Sequence, residues 1–188
     1  MTFLSGGEAS NGNANFIRYK SQKDQWEIDN QKVDLKPFVI DPNKIKLGWL
    51  HISQGSYDAH WFANASQPIP RPDGIDPDGK PLYKEAFSCE LYNKELGLNE
   101  WSSNSYGARV GFDQLYQDIL KGLLDNKDKV PVIEYKNSEE LVLKRGSSRK
   151  PTFNIMKWID MPEAIADTSS VPVPPPTPLK DEVIEVEF

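Results

Sequence analysis

One stretch of this chain repeats its apolar residues at helical spacing. Phe112, Leu115, Tyr116, Ile119, Leu120 and Leu123 mark one face of an amphipathic helix running from about Gly111 to Leu124. A lone helix has nothing against which to bury that stripe, so a sheet must supply the other layer. The flanking sequence carries period-2 patterns instead. Phe16 to Lys20 and Pro37 to Ile40 are short strand candidates, and Ile45, Leu47 and Trp49 alternate with Lys46, Gly48 and Leu50. Ala59 to Ala63 is the expected partner of that strand, turning at Gln54-Gly55-Ser56, and Leu82 to Tyr92 alternates again after a Pro/Gly-rich loop. Beyond the helix, Val130–Lys136, Glu140–Lys144 and Phe153–Ile159 are predicted strands.

This order predicts a mainly β domain with one helix, an OB-fold-like five-stranded barrel with extra strands, over residues 15–160. Other small α+β folds share the order. The Gly/Asn/Ser-rich residues 1–14 are expected to form a flexible N-terminus without the pattern of a signal peptide, and no apolar run is long enough for a membrane span. One cysteine, Cys89, excludes an internal disulfide and fits a reducing cytoplasm, the host's if the source is viral.

The net charge of −6 is unevenly spread: residues 161–188 hold six acids and one lysine, leaving the preceding 160 residues nearly neutral. Residues 161–180 read as a Pro-rich disordered linker, because Val171-Pro172-Val173-Pro174-Pro175-Pro176-Thr177-Pro178 favours extended polyproline II and the segment Ala166 to Pro178 lacks the apolar residues needed to offset the entropy of ordering it. Residues 181–188 form an acidic tip, where Asp181, Glu182, Glu185 and Glu187 lead to the terminal Phe188. A carboxylate-flanked aromatic on a spacer suits a basic pocket on a partner protein; the plainer reading is a solubilising acidic tail.

Aromatic residues interleaved with cations are the main functional signal within the domain. Bases of a single strand stack on exposed rings while Lys and Arg follow the phosphates. Arg18, Tyr19, Lys20, Trp26, Lys44, Lys46 and Trp61 are the candidates, with Tyr19, Trp26 and Trp61 as stacking rings and Trp49 assigned to the core by its parity. About half of the aromatic residues are expected to be packing residues. Lys144, Arg145, Arg149 and Lys150 form a basic loop that either binds phosphate or is a plain hairpin tip. Glu100 to Tyr106 is read as a turn and helix entry, and Asp73 to Lys80 as an ordinary Pro/Asp/Gly turn in preference to a calcium loop. Phosphate loops, dinucleotide fingerprints, metal-ligand spacings and nucleophile elbows are absent, so neither cofactor, metal nor catalysis is expected.

Taken together, the domain, the Pro-rich spacer and the acidic tail ending in Phe188 resemble the phage single-stranded DNA-binding proteins of replication, and more distantly the bacterial ones. The resemblance implies that Asp181, Glu182, Glu185, Glu187 and Phe188 recruit replication or recombination enzymes and compete with DNA for the domain's groove. The expected function is sequence-independent binding of single-stranded DNA, with homodimerisation an open possibility. The alternative is a non-enzymatic adaptor without nucleic-acid binding.

Overall fold

The computed structural model describes residues 15–53, 56–62, 68–144 and 146–166. They form a mainly β fold with one principal helix. The first meander is β1 (Asn15–Lys20), β2 (Gln25–Ile28) and β3 (Gln31–Val33). Asp29 and Asn30 join β2 to β3 with φ of 50° and 63°, the left-handed pair that matches a tight hairpin to strand twist. β4 (Phe38–Ile40) is followed by a 3-10 turn, Pro42–Lys44, that Asp41 caps by accepting from Asn43 N at 2.9 Å. The chain resumes as β5 (Lys46–Ser53), which pairs with β6 (Ser56–Trp61).

The long β7 (Lys84–Asn93) organises the sheet. Its start pairs with β5 and its end with β4, so one edge of β7 serves two successive strands. Its other edge pairs with β8 (Gly97–Ser103), on which β1 lies parallel. The helix α1 (Tyr106–Leu123) then leads to a ribbon of two 14-residue strands, β9 (Lys129–Val142) and β10 (Ser147–Asp160), with β9 also pairing β4. The order across the sheet is β10-β9-β4-β7-β8-β1-β2-β3, and β5–β6 branches from β7. Although β2 lies far from the ribbon in that order, Trp26 reaches Tyr135 on β9 at 5.8 Å and Phe153 on β10 at 6.3 Å. The sheet is therefore curled into an open half-barrel.

α1 fills the concave side. Phe112 stacks on Phe87 at 3.9 Å between centroids, Trp101 meets Phe87 edge-on at 4.7 Å, and Ala108, Leu115 and Ile119 complete the buried stripe. The helix also presses its own backbone against β10. A Cβ at Gly107 would overlap Arg149 O, and one at Gly111 would overlap Pro151 O, so hydrogen is the largest side chain either position admits.

The sequence-based outline of strands, helix and strands is present, with five corrections. Among the described residues ten strands replace the expected five with extras. The helix begins at Tyr106, five residues before Gly111. Glu100 to Ser103, read as a turn, belongs to β8, and the two strands predicted over 130–144 are one continuous β9. Within the expected linker, α2 (Glu163–Ala166) packs instead: Ile165 is buried against Val39 and Val130, and Lys44 Nζ donates to Ile165 O at 3.1 Å. Among the described residues no helix is long and apolar enough to cross a membrane.

Candidate nucleic-acid interface

Two of the expected stacking rings lie in the core. Tyr19 and Trp26 are 7% and 3% exposed, and their rings meet at 5.2 Å. Tyr19 shares the inward parity of Ile17 on β1, and Trp26 is enclosed by Trp101, Tyr135 and Phe153. Rings so covered offer no face to a base, which corrects their assignment.

The same region explains Arg149. The turn after β1 brings Asp24 onto the ribbon, where its Oδ1 accepts from Tyr19 Oη at 2.9 Å and Tyr135 Oη at 3.0 Å. Arg149 Nε donates to Ser138 Oγ at 2.6 Å, its second nitrogen reaches Ser138 O at 3.1 Å, and its charge lies 3.8 Å from Asp24 Oδ2. Burial, the largest single influence, pushes the Asp24 carboxyl upward. The hydrogen bonds from Ser138, Tyr19 and Tyr135 and the charge of Arg149 together outweigh it, so Asp24 sits below its ordinary value of 3.8. Burial and the Asp24 carboxylate push the Tyr135 phenol far up. This is a clasp that ties the turn after β1 to the β9–β10 ribbon, and Arg149 belongs to it.

The predicted basic loop thus divides. Arg149 and Lys150 lie within β10, and Lys150 pairs with Glu139 at 2.9 Å. Lys144 is exposed near the ribbon's turn, beside Val142 at 86% exposure. Arg145 lies outside the described residues, as do Asp181, Glu182, Glu185, Glu187 and Phe188.

Other candidates are brought together, on the sheet face that α1 leaves open. Residues paired across strands share a face, as do residues two apart along a strand. Lys46 pairs with Ser88 and Ser88 with Ser102; Glu100, two residues from Ser102, pairs with Phe16; Trp61 and Ala86 both pair with Gly48. Hence Phe16, Arg18, Lys46, Tyr57 and Trp61 lie on one face, opposite to Ile17, Phe87 and Trp101. Phe16 is 48% and Tyr57 44% exposed, and their rings are 6.1 Å apart. Burial holds the Tyr57 phenol above its ordinary value, against a hydrogen bond with Ser102 and with help from Glu100.

Acids share this face and answer some of its cations. Lys44 pairs with Glu90 at 3.1 Å, Lys20 approaches Glu27 at 3.9 Å, and Glu100 accepts from Ser88 Oγ at 2.8 Å and Ser102 Oγ at 2.6 Å. Among the described residues Arg18 and Lys46 form no ion pair, and both are exposed. Phe16 and Tyr57 were missed from sequence, yet the signal existed: Phe16 has the parity of Arg18, and Tyr57 that of Trp61.

On the helix side of β5, a cleft of about 430 Å³ opens between α1 and β5–β7. Phe87 and Phe112 line it together with Trp49, Phe62, Tyr106 and Tyr116. Trp49, expected in the core, is half-buried here; its Nε1 donates to Ile69 O at 2.9 Å, and the Arg71 guanidinium lies 4.7 Å over its ring. Arg109 and Asp113 from α1 and Glu85 from β7 also line the cleft, with Arg109 and Glu85 ion-paired. Beyond Trp49, Asp58 accepts from Tyr83 Oη and pairs with His60 Nε2 at 3.4 Å.

Cys89 is buried, and burial first, then Glu100 and Glu90, push its thiol well up. Among the described residues no cluster of His, Cys, Asp and Glu has the makings of a metal site. Asp76 instead ties its own turn, its Oδ1 accepting from Asp78 N at 2.9 Å and Lys80 N at 2.8 Å. No family model, curated protein or solved structure matches the chain.

Proposed function

We propose that this protein is a non-enzymatic, sequence-independent single-stranded DNA-binding protein whose interface is the helix-free sheet face. The observation that carries the proposal is the grouping of Phe16, Tyr57 and Trp61 on one sheet face with Arg18 and Lys46, two exposed cations that form no ion pair among the described residues. Exposed rings stack bases of any identity, while Arg and Lys neutralise phosphates. The rigid sheet supplies the platform, and the strand–helix–strand order supports an OB-like relationship as part of the same reading. The Pro-rich segment and the tip Asp181–Phe188 fit recruitment of replication or recombination enzymes in a cytoplasm. Titration of the full chain with oligo-dT at several salt concentrations tests this. Binding should quench tryptophan fluorescence and weaken with salt at a log-log slope of about −0.7 per phosphate neutralised. No salt-sensitive binding at low ionic strength would refute it.

A second reading rests on the same face. Phe16, Ile52 and Tyr57 form an exposed apolar patch, and Glu90 and Glu100 give it a mixed charge. An adaptor that docks a protein there would show no response to oligo-dT, and its partner's binding would depend on Ile52, whose aliphatic side chain has no ring on which a base could stack.

A further inference from the structure

We infer that the cleft between α1 and β5–β7 is a second subsite that takes one unstacked nucleobase in preference to a phosphate; the inference rests on the proposed binding of single-stranded DNA. Its walls are rings, its floor is the rigid Phe87–Phe112 stack, and about 430 Å³ lies within the roughly 300–1,000 Å³ typical of small-ligand pockets. Trp49 is held in place by its bond to Ile69 O, so it is ready for a stacking partner without first being ordered.

Charge decides the kind of occupant. Arg109 faces Glu85 and Asp113 in the cleft, one cation against two carboxylates, so a phosphate group is repelled rather than neutralised. A neutral ring whose edge both donates and accepts hydrogen bonds matches that lining. An all-apolar side chain would bury Arg109, Glu85 and Asp113 without partners of its own. The backbone of the strand has its cations close by: Arg71 over Trp49, outside the lining of the cleft, and Lys46 three residues before Trp49 on the opposite face of β5. A strand crossing β5 would meet ring stacking on both faces.

The test uses the full chain with two probes, oligo-dT and an abasic oligomer of equal length, which keeps the phosphates and lacks the bases. Two variants alter the cleft: Tyr106→Ala removes a wall from a ring that is 54% exposed, and Val110→Trp fills the space. Each should weaken oligo-dT binding about tenfold at fixed salt, as expected for one lost stacked base, and leave the salt slope and the abasic affinity unchanged. Tyr106→Ala keeps the test decisive if the larger side chain introduced by Val110→Trp disturbs folding. Unchanged oligo-dT affinity in Tyr106→Ala, while Arg18→Ala with Lys46→Ala still weakens it, overturns the cleft subsite and leaves the open-face reading standing. Equal losses for both probes also overturn it, because the cleft would then serve phosphates. If the unaltered chain binds neither probe, the underlying reading falls and this inference with it.

Discussion

Trp26 and Trp61 are both candidate stacking rings from the sequence, yet they lie in regions with opposite roles. Trp26 belongs to a packed cluster of Tyr19, Trp101, Tyr135 and Phe153 that the Asp24 clasp seals. Trp61 lies half-buried on β6, which pairs with β5 alone, facing away from the helix. β1 contributes to both regions at once: Ile17 and Tyr19 point into the core, Phe16 and Arg18 out. The number of aromatic residues therefore says little about binding capacity here. The side of the sheet each ring occupies decides whether it stabilises the fold or meets a ligand.

If the division is real, substitutions on the two sides must separate stability from binding. Trp26→Ala should show the largest effect, a loss of about 3–5 kcal/mol in denaturant unfolding, as for other large aromatic truncations in cores. Trp26→Phe should keep most of that stability, since the lost indole N–H has no hydrogen-bond acceptor. A mild Trp26→Ala phenotype would break the comparison from the core side.

Gly107→Ala should cost about 1–3 kcal/mol, because α1 would have to lift from the Arg149 carbonyl. Thermal melting checks it, and a neutral or stabilising result would contradict the close helix–strand approach. Asp24→Asn is expected to cost about 1 kcal/mol at neutral pH, by weakening charge-assisted hydrogen bonds while tolerating the left-handed φ of 49°. The Asp24 carboxyl is depressed below 3.8 in the folded chain, so its contribution is complete above that pH and is lost as pH falls through the lower folded value. Parent and Asp24→Asn melting curves should accordingly converge on acidification below 3.8.

Arg18→Ala combined with Lys46→Ala should shift stability least, by about 0.5 kcal/mol in total, because both side chains are exposed and lose few contacts. The same variant should weaken oligo-dT binding and flatten its salt slope by about 0.7 for each phosphate contact removed. Equal damage to stability and binding would mean that the open face is structural.

The alternation of β5 and β7 and the 3.6-residue stripe of α1 made the β-rich, one-helix outline legible in the sequence. What stayed hidden has local causes. Glu100 to Ser103 reads as a turn because Ser102, Ser103, Asn104 and Ser105 crowd small polar side chains after Trp101, whereas in the fold Ser102 Oγ donates to Glu100 at 2.6 Å within β8. The first turn of α1 is obscured by Gly107 and Gly111, which signal flexibility in sequence but serve close packing in the fold. Arg149 and Lys150 look free in a run of cations; their partners are Ser138 and Glu139 on the facing strand of the ribbon and Asp24 in the turn after β1, pairings that need the register and the tertiary fold. The open-face group was half visible, through Arg18, Lys46 and Trp61, while Phe16 and Tyr57 required the register.

Photo-crosslinking of the full chain to an oligonucleotide carrying 5-iodo-deoxyuridine, with the adducts mapped by mass spectrometry, tests the central claim most directly. The account predicts adducts on Phe16, Tyr57 or Trp61, lost on adding unmodified oligo-dT, and none on Tyr19 or Trp26. Absence of adducts at all three open-face rings, or adducts confined to the β9–β10 ribbon near Lys144, would contradict it.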